Sequence, residues 1–323
     1  MKVSELGEFG LIDLLAEMVS VSAGEQAAPG LILGIGDDAA AWHGDTSVQL
    51  ATVDSVIENI HFSLSTTTWN ELGWKALAVN LSDIAAMGGV PRYALVSLAL
   101  PADTEVDDVT ALYKGMIELA RQSGTAIVGG DTCRAAEVSV NVTVVGSAVD
   151  GQMMTRSGAR PGDQIAVTGY LGAAAAGLRM LSDRQEFSPE DTASLKEAFL
   201  RPKPRLAEGW LLVRAGVKAG MDLSDGLVSD LGHVCRASRV GARVRVDRIP
   251  VHPAVRANYA DRSLEMALSG GEDYELLFTA GAELMESARR KIGCPVTVIG
   301  EVTDEEPGRV SLFDMDNKPF SLR

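Results

Sequence analysis

Asp38 closes the stretch "LILGIGDD", and only a few small residues and the turn-forming "HGDTS" separate it from the next apolar run, "VQLATVDSV". A parallel pair of strands needs a crossover of roughly a dozen residues or more, usually a helix, whereas a short turn returns the chain as an antiparallel hairpin. The spacing therefore predicts that these two runs pair as a hairpin, so that Asp38 and Asp54 converge. Gly34-x-Gly36-x-x-Ala39 is close to a dinucleotide-binding fingerprint, and Asp54 sits near the position of its ribose-binding acid. That fingerprint requires a helix directly after the glycine turn, and the spacing leaves no room for one. A directly held dinucleotide stays as the alternative to a metal-holding stretch.

The rest of the chain alternates helical and strand patterns. Gly7 to Val21 has amphipathic helical spacing, "WNELGWKALAVNLSDIAAMGG" and "EVDDVTALYKGMIELARQSG" are longer helices ended by glycine, and "RYALVSLALP", "TAIVGGD" and "VSVNVTVVGSAV" are strands. These make a mixed α/β domain over 1–150. A turn-rich entry, "TRSGARPGDQIAVTG", opens a second α/β domain over 151–323, with a loop at "AGMDLSDGL" and strands at "ARVRVDRIP" and "SGGEDYELLFTA". The fold class predicted is α/β with mixed sheets in two domains.

A net charge of −15 argues against a broad nucleic-acid surface, which needs clustered Lys and Arg. Such a chain can hold a phosphate ester only with local cations or bound metal. No apolar run reaches the roughly 20 residues of a membrane span, and "MKVSELGEFG" lacks a secretory apolar core, so a cytoplasmic protein is expected. Cys133, Cys235 and Cys294 have neither CxxC nor metal-ligand spacing. The acids are distributed differently. Asp38, Asp54, Asp131, Asp222 and Asp225 stand at the ends of apolar strands or beside glycine, and Asp83 adds a sixth from a helix. Each by itself could cap a turn. Gathered in one place they would repel one another unless cations intervened. Hard oxygen donors suit Mg²⁺ rather than zinc, which favours His and Cys ligands.

Read in order, "GIGDDAA", "TVDSVIENIHF", "KALAVNLSDIAAMGG", "IVGGDT", "TRSGARPGD", "MDLSDGL" and "SGGEDYELLF" closely resemble the thiamine-monophosphate kinases of the PurM-like (aminoimidazole ribonucleotide synthetase-like) superfamily. The resemblance spans nearly the whole chain. It implies an N-terminal domain whose sheet pairs with its twin in a homodimer, a C-terminal domain, and an active site in the interdomain cleft. The implied reaction moves the γ-phosphoryl group of ATP to the phosphate of thiamine monophosphate with several Mg²⁺ ions and no acid, base or nucleophile from the protein. By resemblance, Asp38, Thr52, Asp54, Asp83, Asp131, Asp222 and Asp225 match metal-coordinating positions, with Val53 contributing its carbonyl. Gly130, Asp131, Arg156, Ser224 and Tyr113 match ATP contacts, and His61 and Glu272 match contacts to the thiamine phosphate.

Some positions keep two readings. A lone His after a strand, such as His61, commonly serves a turn, and Arg156 could be a solvated turn cation. "VTGYLGAAAAGL" fits a phosphate-cradling turn and a tight strand-to-helix turn equally. By resemblance, family members carry a C-terminal aromatic residue against the thiamine, whereas this chain ends "KPFSLR", so that Phe320 or another side chain supplies that contact, or the pocket is more open. The rivals are another PurM-like ATP-dependent enzyme of the aminoimidazole ribonucleotide synthetase type and a non-catalytic protein that binds ATP or thiamine phosphate. The cysteines expected of selenophosphate synthetase or of the hydrogenase-maturation relative are not in place.

Overall fold

The structure, a computed structural model, describes residues 1–23, 30–33, 35, 40–44 and 46–321. The chain divides into two compact units, Met1–Ile84 with Val90–Ser147, and Ala85–Gly89 with Ala148–Arg323. The end of one helix with its glycine turn groups with the second unit.

The first unit runs α1 (Val3–Leu6), α2 (Glu8–Ala23), β1 (Leu31–Leu33), β2 (Ala41–Trp42), β3 (Gln49–Ile57), α3 (Trp69–Ala86), β4 (Val90–Leu100), α4 (Val106–Ser123), β5 (Ala126–Arg134) and β6 (Ser139–Ser147). Its main sheet has the order β3-β6-β4-β5, with β4 and β5 parallel and the other pairs antiparallel. The parallel pair is joined through α4, as the length of that crossover requires. α4 buries Val106, Val109, Leu112, Tyr113, Met116, Ile117 and Ala120, the spacing of one helical face. Asp107 and Asp108 lie in its first turn and Arg121 in its last, which complements the helix dipole, and Gly124 ends it in the left-handed conformation at φ 68°. α3 is different, being buried continuously from Leu72 to Ser82.

Among the described residues, the expected hairpin between the 30s and the 50s is not seen. β1 pairs antiparallel with β2, while all nine residues of β3 pair with β6. Asp38, together with Gly34, Gly36 and Asp37, lies outside the described residues.

The second unit contains β7 (Gln164–Thr168), α5 (Ala173–Ser182), α6 (Pro189–Leu200), α7 (Leu206–Ala215), β8 (Ala219–Asp222), α8 (Leu227–Ser238), β9 (Gly241–Arg245), α9 (Pro253–Asn258), α10 (Ser263–Ser269), β10 (Leu276–Ala280), α11 (Ala282–Lys291), β11 (Val296–Thr303) and β12 (Val310–Phe313). Its sheet order is β12-β9-β11-β7-β10-β8. Strand alternation divides two cores across this sheet: Ile165, Val167 and Leu277 belong to one, and Ala166, Leu276 and Phe278 to the other. "SGGEDYELLFTA" becomes a strand only from Leu276, because the glycines and acids before it form a loop. "AGMD", expected as loop, is the edge strand β8.

Helices α3 and α4 meet at a reciprocal pair of glycines. A Cβ on Gly73 would lie 1.8 Å from the Leu112 carbonyl oxygen, and one on Gly115 would lie 1.9 Å from that of Asn70. Because the obstacle is backbone on both sides, Gly115→Ala must separate the helices. We expect it to lose roughly 1–3 kcal/mol, as overpacked cores do. Urea unfolding checks this, and wild-type stability would show that the contact tolerates a methyl group.

Candidate functional site

β3 and α3 build the acidic part of the first unit. Thr52 and Asp54, two residues apart on β3, are both half-buried, while Val53 between them is 62% exposed. The Thr52 hydroxyl donates to Asp83 Oδ2 on α3. The Asp54 backbone N–H donates to Asn80 Oδ1 at 3.0 Å, and Asn80 Nδ2 is tied to the Ala76 carbonyl at 3.0 Å. Asn80 and Asp83, three residues apart, therefore present one helix face to the strand. Asn80 was not anticipated from the sequence, although its spacing from Asp83 in "NLSD" was the available signal. β3 is an edge strand of the main sheet, and the Asn80 amide occupies one of its outward-facing N–H groups.

Burial, together with the charge of Asp83, raises the pKa of Asp54, and His61 opposes the rise. His61 is thus electrostatically close to Asp54. Its Nδ1 also accepts the Ile57 backbone N–H at 3.2 Å, so it closes the turn after β3 as well. Asp131 and Gly130 are exposed on β5 at the other edge of the sheet. The pairing rows run from Asp54 through Val142 and Val96 to Gly130, three strand spacings or roughly 14 Å. The main sheet therefore does not bring Asp131 to Asp54. Among the described residues, no three His, Cys, Asp or Glu side chains meet in a geometry that could hold a metal ion. Tyr113, expected at ATP, is a core residue only 6% exposed, and burial raises the pKa of its phenol.

In the second unit, β8 ends on buried Asp222, and the turn after it carries half-buried Ser224 and exposed Asp225. Asp230 Oδ2 accepts the backbone N–H groups of Ser224 and Asp225, both at 3.1 Å. Burial pushes the Asp230 carboxyl up to about 6. The loop before β10 packs on this turn: Glu272 N–H donates to the Ser224 carbonyl at 2.8 Å, and Tyr274 N–H to that of Leu223 at 2.9 Å. Glu272 and Tyr274 both have left-handed backbones, φ 68° and 50°, which neither residue type favours. Two anchors hold this strained loop. Asp273 accepts the Gly172 and Ala174 N–H groups at 2.7 and 3.2 Å, and Glu275 is held by the Arg205 guanidinium and by the Thr168 hydroxyl at 2.6 Å. Asp273 thereby caps α5, which favours the tight-turn reading of "VTGYLGAAAAGL", since a carboxylate of the chain already occupies that helix end. Burial pushes Asp273 up to about 7, against those bonds.

Arg156 is exposed, and its carbonyl accepts the Ser238 hydroxyl at 3.2 Å. Phe320, expected to touch substrate, packs against the second unit's core, and its N–H donates to Leu312 of β12. β12 and β8 are opposite edges of the six-stranded sheet, five spacings or about 24 Å apart along it. Phe320 therefore does not reach Glu272 or the turn after β8, because β12 binds it to the far edge.

The donor chemistry fits a hard divalent cation: two neighbouring carboxylates, one of which the other makes harder to ionise, with a hydroxyl beside them. The chain matches the family models of AIR synthase related protein, N-terminal domain, over residues 36–148, and C-terminal domain, over 160–312. It is 40% identical over 310 residues to the thiamine-monophosphate kinase of Salmonella typhimurium, covering 94% of this chain and 92% of the relative. The chain belongs to the thiamine-monophosphate kinase family. The crystal structure of the thiamine-monophosphate kinase from Stenotrophomonas maltophilia K279a is 36% identical, with TM-score 0.85 over 95% of this chain and 96% of that one. AaThiL complexed with AMPPCP and TMP is 32% identical, with TM-score 0.77 over 100% and 97%. Family membership covers both units, and the mixed α/β architecture is that of its relatives.

The Asp54–Asp83 pair has a direct consequence for metal-free protein. A carboxyl whose folded pKa is raised above the unfolded value binds its proton more tightly when folded. Its stabilisation is full below the ordinary aspartate value of 3.8 and is lost as pH rises through the folded value. Asp83→Asn removes the Coulomb part of the shift and leaves the burial part. In EDTA, the variant should lose less stability than wild type as pH rises from about 3.8. Unfolding followed against pH in both proteins checks this, and parallel curves would mean that the two carboxyls do not interact.

Proposed function

We propose that the protein transfers the γ-phosphoryl group of ATP to the phosphate of thiamine monophosphate, giving thiamine diphosphate and ADP. The observation that carries this is the likeness along nearly the whole length to a thiamine-monophosphate kinase, 40% identical over 94% of the chain. The AaThiL complex with AMPPCP and TMP supports ATP and thiamine monophosphate as the two substrates.

Asp54, Asp83, Asp131, Asp222 and Asp225 hold several magnesium ions in this reading, with Thr52 orienting Asp83 and Val53 offering its carbonyl. Bound magnesium supplies charge neutralisation between phosphoryl oxygens and aligns donor with acceptor. The acceptor oxygen is already ionised, so no side chain has to remove a proton from it. The chain's own residues position the reactants. Gly130 and Ser224 lie against ATP, Arg156 pairs with its phosphates, and His61 and Glu272 face the thiamine phosphate. The strained backbone at Glu272, anchored on both sides by Asp273 and Glu275, fixes the direction of that carboxylate.

We further propose a homodimer through the main sheet of the first unit. Ala51, Val53 and Ser55 are exposed on one face of β3, and Thr143 and Val145 on β6 and Leu95 on β4 are only partly covered. An incompletely covered apolar sheet face is a surface that a second copy would bury.

The deciding assay incubates the protein with thiamine monophosphate, ATP and Mg²⁺ and follows thiamine diphosphate, which should accumulate with ADP. Its absence while ATP is consumed on another acceptor would overturn the reading. Asp54→Asn should lower turnover on the order of 10²–10³-fold, because a fixed charge of the transition-state arrangement is lost. Near-wild-type turnover at an unchanged Mg²⁺ midpoint would make Asp54 a turn residue. γ-Labelled ATP alone should leave the protein unlabelled, and light scattering at micromolar concentration should give twice the chain mass. A stoichiometric side-chain label or a monomer mass would contradict direct transfer or the dimer respectively.

A further inference from the structure

Asp230 lies in the first turn of α8 with none of its surface open to solvent. A single oxygen, Oδ2, takes the backbone N–H groups of Ser224 and Asp225, both at 3.1 Å. The other oxygen, Oδ1, is buried and makes no well-formed hydrogen bond among the described residues, although the Gly226 N–H lies close enough to favour the ionised carboxylate. Such a carboxylate is a liability to the fold, since taking its charge out of water carries a desolvation penalty that the backbone bonds offset only in part. Asparagine could accept the same two bonds without the charge. What the carboxylate adds is strength, because N–H bonds to an ionised acceptor are roughly twice as strong as neutral ones.

The segment held in this way is the one that presents Asp222, Ser224 and Asp225. It is clamped from the opposite side by Glu272 N–H on the Ser224 carbonyl and Tyr274 N–H on the Leu223 carbonyl. Gly226, at φ 104°, lets the chain turn sharply into α8, and a Cβ there would meet the Ser269 backbone at 2.9 Å. The amides are therefore fixed from behind by one carboxylate and the carbonyls from the side by one loop. We infer that Asp230 is a positioning residue for the cation- and nucleotide-binding turn at Asp222–Asp225, acting through the two amides and not through contact with substrate. The inference rests on the reading of Asp222 and Asp225 as magnesium ligands and goes beyond it, since Asp230 belongs to no ligand set in that reading.

The test is the Mg²⁺ midpoint for AMPPCP binding, measured by calorimetry, beside thermal unfolding in EDTA, for wild type, Asp230→Asn and Asp230→Leu. Leucine keeps the bulk and accepts neither bond, so the midpoint should rise about tenfold or more, the usual loss for a residue that orients metal ligands. Asparagine should fall between leucine and wild type. In EDTA, the order should differ, with Asp230→Asn at least as stable as wild type because the buried charge is gone. A residue that serves only the fold would move stability and leave the midpoint unchanged. A midpoint for Asp230→Leu within about twofold of wild type would overturn the inference. Should the leucine variant fail to fold, amide exchange in metal-free wild type decides: the Ser224 and Asp225 amides should be protected, and exchange at open-loop rates would refute the two bonds. Absence of any Mg²⁺-dependent AMPPCP binding by wild type would instead remove the functional reading, and the inference with it.

Discussion

Two carboxylates held by different elements in each other's field constrain the first unit more than any other feature. Asp54 on β3 and Asp83 on α3 are brought together by the Asn80 amide, which fixes the strand's N–H, and by the Thr52 hydroxyl, which binds the helix acid. Burial and Asp83 both make Asp54 harder to ionise. The fold places acids where acids oppose one another, and a chain carrying −15 has few local cations to offset them. In the proposed reading a divalent cation would turn that repulsion into affinity and let an acidic protein accept two phosphorylated substrates.

The second unit solves a different problem, that of holding loops rigid. The turn after β8 and the loop before β10 interlock through backbone bonds, and each is secured by a carboxylate the proposed chemistry does not use: Asp230 for the turn, Asp273 and Glu275 for the loop. Left-handed backbones at Glu272 and Tyr274 persist because both flanks are pinned, Asp273 to the start of α5 and Glu275 to Arg205 and Thr168. Local strain at Glu272 is thus sustained by bonds to residues distant in sequence. That dependence links the accuracy of the site to the stability of the sheet behind it.

Most elements were legible from periodicity. α4 shows the reason: its apolar spacing, acidic first turn and terminal glycine all agree. The acids proposed for the site stand in a local pattern, Asp beside glycine at the end of an apolar run, which the sequence displays directly. What could not be read was pairing. β3 pairs over nine residues with β6, about ninety residues downstream, and no local signal in the sequence points to so distant a partner. Strand order also separates Asp131 from Asp54 and Phe320 from Glu272, and no local signal encodes strand order. Tyr113 was drawn to the nucleotide by resemblance, yet it falls on the buried face of α4. Asp230 and Asn80 were missed because their roles are to accept backbone N–H groups, which composition does not reveal.

The central claim is that these carboxylates are a burden to the metal-free fold and an asset once magnesium is bound. Thermal unfolding of wild type and Asp54→Asn, each in EDTA and in saturating Mg²⁺ with AMPPCP, tests it most directly. The account predicts that the order reverses: the variant is at least as stable as wild type in EDTA, and wild type is the more stable with magnesium and nucleotide because it gains more from binding. The same order in both conditions, with equal gains from the ligands, would contradict it.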